Sequence, residues 1–334
     1  MFRTLAAGVG VALVASASGL SQAATISGAG STFAAPLYAK WAEGYKAKTD
    51  TNLNYQSIGS GGGIRQIIAN TVDFGATDKP LPGPDLAANN FVQFPTAVGG
   101  VVPVVNLPGL RPGQLKLTGP QLADIYRGAI KKWNDPLLAL TNKGLAMPNL
   151  PITVVHRSDG SGTTFIWTTY LSTQAPHWKS EVGASDSVAW PVGLGGKGNE
   201  GVAAYVKQTQ GAIGYVEYAY AATNKLTFVQ MQNREHRFVM PTAASFAAAA
   251  AGAKWSAVPG FGVILVDQPG VASWPITGAT WVIVHKNQKN GPQVIKFFDW
   301  SFKNGDAAAA SLSYVALPNA VKSQVRKEAF SQVK

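Results

Sequence analysis

The hydrophobic and polar positions of the chain follow two alternating periods. Residues 53–57 alternate from one side chain to the next, which is the pattern of a half-buried strand. Leu37, Trp41 and Tyr45 recur every four residues, and this spacing predicts a helix with one apolar face. Short runs of both kinds alternate from residue 25 onward, and this alternation predicts an α/β protein.

The same periods predict further elements beside two glycine-rich stretches. Ile64, Ile67 and Ile68 follow a run of glycines and predict another helix with an apolar face. Residues 152–155 predict a strand, and residues 165–171 predict a helix that follows it closely. Polar, glycine-rich segments therefore stand at the beginnings of these predicted helices.

Two extended apolar segments, residues 101–105 and 272–277, are candidates for connections between two lobes. A chain of 334 residues is longer than one ordinary hydrophobic core accommodates, so two domains are expected. If both segments cross one hinge, residues 24–100 and 277–334 form one lobe and residues 101–276 form the other. The pattern thus predicts two lobes joined by two crossing strands, with one lobe discontinuous in sequence.

The first 23 residues have the composition of an export signal. Arg3 supplies a positive start, residues 5–20 are uncharged and apolar or small, and Ser21 and Ala23 occupy the positions that determine cleavage. The alternative, a membrane anchor, is less consistent with a stretch this short and this rich in Gly, Ala and Ser. We therefore predict a signal peptide, residues 1–23, that is cleaved near Ala23.

Cysteine is absent from the chain. Packed cores rather than disulfides must therefore stabilise the protein, and no thiol near the predicted cleavage site carries a lipid. An exported protein without an anchor is retained only where an outer membrane encloses it. We therefore expect the protein in the periplasm.

The net charge is +11 at pH 7 and falls by one, to +10, without residues 1–23, because that segment holds one Arg and no acid. A basic surface raises the encounter rate with anions. The basic residues are scattered, and the longest runs are the pairs Lys131-Lys132 and Arg326-Lys327. Since a nucleic-acid-binding surface concentrates its basic residues on one face, we expect no nucleic-acid partner.

Four polar, glycine-rich segments are candidates for binding an anion, and three of them directly precede a predicted helix. They are residues 28–33, 59–63, 75–78 and 159–163. The first N–H groups of a helix lack partners within the helix and lie at the positive end of its dipole, so a tetrahedral anion can bind there. The hydroxyl groups that would add hydrogen bonds are those of Thr32, Ser60, Ser161 and Thr163. The alternative is that each segment is an ordinary loop with a Ser or Thr helix cap.

Two charged residues beside these segments indicate which anion is bound. A guanidinium matches two oxygens of a tetrahedral anion, so Arg157 is the natural cation; its alternative role is a surface ion pair with Asp159. Asp78 is unfavourable beside an anion unless it accepts a proton from that anion. Phosphate carries a proton near neutral pH and sulfate carries none, so this carboxylate suits phosphate and repels sulfate. Taken alone, Asp78 would be a helix cap or a turn residue.

Signals for catalysis are weak. Residues 193–198 match the dinucleotide-binding spacing G-x-G-x-x-G, but the preceding run contains Pro191 and is a poor strand. The four histidines are far apart in sequence, and their spacing is not that of metal ligands. Glu217 is a lone carboxylate that we interpret as structural. We expect no catalytic residues, no metal and no cofactor, and therefore no enzyme.

Six motifs in sequence order resemble one known family. They are residues 28–33, 58–62, 72–78, 157–163, 190–198 and 211–218. Over essentially the whole chain after residue 23, the sequence resembles the periplasmic phosphate-binding protein, the substrate-binding subunit of the high-affinity phosphate ABC importer. The resemblance implies the type II periplasmic-binding-protein fold, with two crossing strands as the hinge between its lobes.

The resemblance also implies a set of phosphate-binding residues, each of the expected type. They are Thr32, Phe33, Ser60, Asp78, Arg157, Ser161, Gly162 and Thr163, with Asp159 holding Arg157. Thr32 and Phe33 are implied to donate backbone N–H groups, Asp78 is implied to accept the phosphate proton, and residues 161–163 are implied to supply a helix N-terminus. The departures are Gly61 where a serine is common, the basic net charge, and the alanine-rich residues 243–253, which we interpret as a surface or packing helix.

The implied function is capture of inorganic phosphate by closure of the lobes and its delivery to the permease subunits of an inner-membrane ABC transporter, with the binding protein a monomer. Two alternatives stay open. One is an enzyme that acts on phosphate esters, and the other is a surface protein that binds polyanions through its positive charge.

Overall fold

The computed structural model describes residues 24–334. The predicted signal peptide, residues 1–23, and its cleavage near Ala23 lie outside the described residues. Within residues 24–334, no helix combines the length and the apolar character that crossing a bilayer requires.

Thirteen strands lie within the described part of the chain. They are β1 Thr25–Gly30, β2 Asn52–Ser57, β3 Phe74–Thr77, β4 Phe91–Val105, β5 Lys116–Leu117, β6 Thr153–Arg157, β7 Leu194–Gly196, β8 Ala212–Glu217, β9 Thr227–Phe228, β10 Gln230–Gln232, β11 Phe238–Val239, β12 Thr277–His285 and β13 Val315–Ala316.

Thirteen α-helices lie within the same residues. They are α1 Ala35–Thr49, α2 Ser60–Ile68, α3 Gly83–Ala88, α4 Gly119–Tyr126, α5 Pro136–Ala139, α6 Gly162–Gln174, α7 Pro176–Glu181, α8 Gly198–Gln208, α9 Tyr218–Thr223, α10 Ala243–Ala250, α11 Gly291–Asn304, α12 Asp306–Ser311 and α13 Asn319–Glu328. Strands and helices alternate along the chain, so the α/β prediction is confirmed.

The fifteen-residue strand β4 joins the two parts of the main sheet, and all of its residues are buried. Residues 91–100 of β4 pair antiparallel with β12, which in turn pairs with β3, and β3 pairs with β1. From Val101 to Val105 the partners of β4 are β8 and β9, and β6 extends the sheet beyond β8. The first lobe contains the strands on the β1 side of this change, and the second lobe contains those on the β8 side.

A second chain segment lies beside β4 where its partners change. The Val101 N–H donates to Ile276 O at 2.9 Å, and Trp274 Nε1 donates to Val101 O at 2.9 Å. The two apolar segments singled out in the sequence therefore lie side by side where the lobes meet. The lobe boundaries themselves, 24–100, 101–276 and 277–334, stay a prediction.

The helix predicted from Leu37, Trp41 and Tyr45 is α1, and all three side chains are buried in the first lobe. Burial of side chains of this size stabilises the fold by about 1.5–3 kcal/mol each. Asp50, in the left-handed conformation with φ of 57°, ends the helix. Local periodicity therefore predicted this helix correctly, because one face of the helix packs against the core.

The glycine run before the next helix is itself helical, which corrects the sequence interpretation. Helix α2 begins at Ser60, so residues 60–63 form its first turn rather than a loop before it. A Cβ on Gly63 would lie 2.5 Å from Ala29 O, so only glycine permits this approach to β1. Ile67 is buried as expected, but Ile68 is 52% exposed and does not belong to the apolar face.

In the second lobe, β6 and α6 correspond to the strand and helix predicted around residues 159–163. Trp167 of α6 stacks on Tyr215 of β8 with ring centroids 4.6 Å apart, and both side chains are buried. The alanine-rich segment forms α10, whose Phe246 packs so closely on Gly100 that a Cβ there would lie 2.1 Å from the ring. Helix α10 thus packs directly on β4 where its partners change.

Candidate functional site

The carboxylate of Asp78 lies at the end of β3 and is held by hydroxyl groups. Its residue is 2% exposed. Ser31, in the turn after β1, donates its hydroxyl to Asp78 Oδ1 at 2.5 Å. Ser60 Oγ accepts the Asp78 N–H at 3.1 Å and lies 3.5 Å from Asp78 Oδ2. Within residues 24–334, no Lys or Arg forms an ion pair with Asp78, so its charge is balanced mainly by dipoles.

Burial raises the pKa of Asp78 from 3.8 to about 6. The hydrogen bond from Ser31, the nearby hydroxyl of Thr280, the charge of Arg157 and the contact with Ser60 lower this pKa but do not cancel the effect of burial. At neutral pH the carboxylate is mostly ionised, and it takes up a proton near pH 6. At neutral pH Asp78 is therefore a hydrogen-bond acceptor, and its raised pKa means that it holds a proton more strongly than an exposed aspartate does.

Arg157 ends β6 and is fixed by Asp159. Its Nε donates to Asp159 Oδ1 at 2.8 Å, and its Nη2 donates to Asp159 Oδ2. The Gly198 N–H also donates to Asp159 Oδ1, at 3.0 Å, which fixes the carboxylate in turn. The third guanidinium nitrogen, Nη1, is buried and has no acceptor within the described residues. A buried donor left without a partner costs about 1–3 kcal/mol, so the arrangement favours an anionic acceptor beside it.

The N-terminus of α6 faces the first lobe, and part of its donor capacity is already used. Ser161 caps the helix by accepting the Thr164 N–H at 3.0 Å, and its own N–H donates to Asp186 O at 2.9 Å. The Gly162 N–H donates across the lobe junction to Ser60 Oγ at 3.0 Å. Of the three predicted residues, Thr163 has an N–H for which no acceptor lies within the described chain.

Thr32 and Phe33 lie in the turn between β1 and α1 and are almost fully buried. Within residues 24–334, neither N–H donates to a backbone or side-chain acceptor. The carbonyl groups of the turn are held by two tyrosine hydroxyls. Tyr220 donates its hydroxyl to Thr32 O at 2.7 Å, and Tyr314 donates its hydroxyl to Phe33 O at 2.5 Å. The carbonyls are thus satisfied while the two amide donors are not.

The structure brings the sequence-predicted residues of both lobes to one junction. Those of the first lobe are Thr32, Phe33, Ser60 and Asp78, and those of the second lobe are Arg157, Asp159, Ser161, Gly162 and Thr163. The hydroxyl of Ser60 accepts from Asp78 and from Gly162, and so joins the lobes directly. A backbone bond from Gly61 N to Gly160 O, 2.9 Å long, closes the same contact.

Two residues of this junction, Ser31 and Asn199, are not among the site residues predicted from the sequence. Ser31 lies inside the first motif, but the sequence pattern favours the hydroxyl of its neighbour Thr32. Asn199 follows the glycine-rich residues 190–198 directly, and its buried amide donates to Thr32 Oγ1 and Thr163 Oγ1. Its position directly after the motif at residues 190–198 is the sequence signal for Asn199, although the glycines are the more conspicuous residues of that motif.

Glu217 is fully buried at the end of β8. The interpretation of Glu217 as a structural carboxylate does not by itself predict this burial. Burial raises its pKa well above the ordinary value. Its Oε2 accepts the Ala219 N–H at 2.8 Å and lies 2.9 Å from the hydroxyl of Tyr314, in the first lobe. Glu217 therefore belongs to the contacts that join the lobes behind the junction.

The glycine-rich spacing at residues 193–198 also has a structural explanation. The residues form β7 and the start of α8, so a strand lies within the motif rather than before it. Its last glycine, Gly198, has φ of 70° and directs its N–H at Asp159. The motif thus supports the Arg157–Asp159 pair.

Two lobes joined by crossing segments, with buried polar groups of both lobes meeting at the junction, define this chain as a two-lobed binding protein. The family model described as the PBP superfamily domain matches residues 15–304.

Similar proteins and structures agree with this class. The chain is 53% identical to the phosphate-binding protein PstS of Pasteurella multocida over 318 residues, which cover 94% of this chain and 92% of that protein. It is 51% identical to the phosphate-binding protein PstS of Haemophilus influenzae, covering 94% of this chain and 95% of that protein. The structure matches that of PfluDING, a high affinity periplasmic phosphate-binding protein bound with phosphate, with a TM-score of 0.71 over 91% of this chain and 93% of that one; at 21% identity this likeness shows the fold.

The chain belongs to the PBP superfamily and, within it, to the family of the phosphate-binding proteins PstS. The two-lobed periplasmic-binding-protein fold expected from the sequence is thereby confirmed.

Proposed function

We propose that this protein binds inorganic phosphate selectively between its two lobes and delivers it to an ABC-type phosphate permease. The relatives at 51–53% identity carry the name phosphate-binding protein, and their similarity extends over nearly the whole chain. The protein acts by capture and release of the ion, without breaking a bond.

The observation that carries the proposal is a surplus of buried hydrogen-bond donors around the carboxylate of Asp78. Arg157 Nη1 and the N–H groups of Thr32 and Phe33 have no acceptor within residues 24–334. An anion with several bare oxygens satisfies these donors, and one proton on that anion satisfies Asp78. Phosphate near neutral pH has both, whereas sulfate lacks the proton.

The residues proposed to bind phosphate are those named from the sequence, with roles assigned by their surroundings here. They are Thr32, Phe33, Ser60, Asp78, Arg157, Ser161, Gly162 and Thr163, with Asp159 orienting Arg157. Arg157 supplies the cation, Asp78 accepts the ligand proton, and hydroxyl and amide groups supply the other donors. Because Ser161 and Gly162 donate their N–H groups within the protein, Ser161 donates to the ion through its hydroxyl in this proposal. Gly162 acts through Ser60, whose hydroxyl oxygen accepts the Gly162 N–H.

Hinge motion couples binding to transport in this proposal. Each lobe alone presents only part of the donor set, so closure is needed to surround the ion. A closed protein presents a surface made by both lobes, and the permease uses that surface to distinguish loaded from ligand-free protein. We propose that this takes place in the periplasm after removal of a signal peptide, with the binding protein a monomer.

Titration calorimetry of the purified, ligand-stripped protein with phosphate and then sulfate tests the proposal. We expect saturable phosphate binding at one site per chain, no response to sulfate at neutral pH, and compaction with phosphate in small-angle scattering. Turnover of a chromogenic phosphate ester, or steep salt-dependent binding to DNA without a phosphate response, would contradict it.

A further inference from the structure

Asn199, near the start of α8, contacts both lobes at the candidate site. Its residue is 0% exposed, and none of the roles proposed above is assigned to it. Its backbone follows Gly198, whose N–H fixes Asp159. Asn199 therefore lies on the same helix start that supports the Arg157–Asp159 pair.

The orientation of the Asn199 amide is determined by its partners. The Glu217 N–H donates to Asn199 Oδ1 at 2.9 Å, and the oxygen is the only atom of the Asn side chain that accepts a hydrogen bond. The NH₂ group is consequently turned to the other side, where Nδ2 lies 2.7 Å from Thr32 Oγ1 and 3.2 Å from Thr163 Oγ1. One amide thus donates to a threonine of each lobe.

These contacts use the lone pairs of the two hydroxyl groups. Thr32 Oγ1 accepts from Asn199 Nδ2 and also from the Asn199 N–H at 3.2 Å, which fills both of its lone pairs. Thr163 Oγ1 accepts from the same amide. Within residues 24–334, neither hydroxyl donates to a protein acceptor, and both residues are at most 1% exposed.

We propose that Asn199 is a positioning residue that makes the hydroxyls of Thr32 and Thr163 donate to the bound anion. An amide NH₂ has no lone pair to offer, so neither threonine can turn its proton toward Asn199. Both protons are left for ligand oxygens, one from each lobe. This inference rests on the proposed function, and it adds a determinant of phosphate affinity beyond the groups that contact the ion.

Asn199→Asp is the sharpest test, because it keeps the size of the side chain and the acceptor for the Glu217 N–H. The carboxylate replaces a donor with an acceptor, so it draws the protons of both threonines away from the ligand. We expect the phosphate Kd to rise about a hundredfold or more for Asn199→Asp and only about tenfold for Asn199→Ala, which leaves the hydroxyls free to rotate. A purely structural role predicts the reverse order, since Ala removes more contacts.

A double-mutant cycle isolates the orienting effect. Thr32→Val should raise the phosphate Kd about tenfold in the wild-type background and have little further effect together with Asn199→Asp, because the hydroxyl is already misdirected. If Asn199→Asp does not fold, the variants Thr32→Val and Thr163→Val still test whether the two hydroxyls donate to the ion. Unchanged phosphate affinity in both valine variants would show that these hydroxyls do not donate to the ion.

Asn233→Asp is the matched control in the same lobe. The buried Asn233 amide donates to the carbonyls of Gly270, Val271 and Ser273, so the change should lower Tm without changing the phosphate Kd. An Asn199→Asp protein that binds phosphate within threefold of wild type, or more tightly than Asn199→Ala, overturns the inference while the proposed function stands. A wild-type protein that does not bind phosphate overturns both.

Discussion

The two lobes bring opposite chemistry to their junction. The first lobe contributes Asp78, an acceptor surrounded by hydroxyl groups. The second contributes Arg157, a cation with one nitrogen that has no acceptor within residues 24–334. Both side chains are buried, but Arg157 has a carboxylate partner in Asp159 while Asp78 has no paired cation within the described residues. From this difference we propose that the second lobe attracts the anion and that the first lobe selects which anion is accepted.

The largest effect is expected from removing the attraction. Arg157→Ala should raise the phosphate Kd on the order of 10³-fold, because it deletes the cation and leaves Asp159 uncompensated beside an anion. Arg157→Lys should lie between Ala and wild type, since the charge remains but the guanidinium fork is lost. Calorimetry gives both values, and Tm measurements confirm folding.

Arg127→Ala is the control for this prediction. Arg127 is an arginine of the same lobe that pairs with Asp124 and Glu181, away from the junction. Its replacement should leave phosphate affinity unchanged. Equal losses from Arg127→Ala and Arg157→Ala would show that the effect is one of lobe stability rather than of anion attraction.

Asp78→Asn should act on selectivity rather than on attraction. It removes the repulsion of an unprotonated anion and introduces an amide donor, so the ratio of sulfate to phosphate Kd should fall about a hundredfold while phosphate binding persists. Competition titrations with both anions measure the ratio. Asp73→Asn, at a buried first-lobe carboxylate that accepts from Ser27, should leave the ratio as in wild type. Continued exclusion of sulfate by Asp78→Asn would remove Asp78 as the selector.

The pKa of Asp78 makes sulfate binding by the wild-type protein dependent on pH. Burial raises this pKa to about 6, so the carboxylate is ionised above that pH and becomes a neutral donor below it. Sulfate affinity should therefore increase as pH falls, by about tenfold per unit above pH 6 and levelling off below it, to roughly 30-fold between pH 7.5 and 5. Titrations of wild type and Asp78→Asn across this range test the sign, because the variant should show a flat profile.

The smallest effect is expected at the rim of the junction. Lys79 of the first lobe pairs with Asp186 of the second at 2.8 Å, and both side chains are partly exposed. Because exposed ion pairs contribute about 0–1 kcal/mol, Lys79→Ala should raise the phosphate Kd by at most about fivefold, and less at high salt. Lys40→Ala, which breaks an ion pair within α1, is the control. A loss as large as that of Arg157→Ala would mean that closure, not the buried cation, dominates affinity.

The sequence was most informative where local pattern and local chemistry coincide. The glycine-rich segments predicted the turn that holds Thr32 and the helix start beside Ser161, because backbone approach there requires small residues, whereas the helix at Ser60 begins earlier than the pattern predicts. It failed at Ile68, which continues the apolar period but lies on the exposed side of α2. Periodicity predicts that a helix has an apolar face. How far around the helix this face is buried depends on how the rest of the lobe packs against it.

By itself, the sequence determined the α/β class, the positions of the candidate donors and the charges that suit phosphate, since these follow from residue types and short-range spacing. Only the tertiary structure decided that Asn199 touches Thr32, 167 positions away, and that Ser60 bridges Asp78 and Gly162. It also decided that two of the helix-end amides are already used within the protein. The physical reason is that hydrogen-bond direction depends on which groups meet in space, and the packing of the two lobes against each other, not proximity along the chain, brings these groups together.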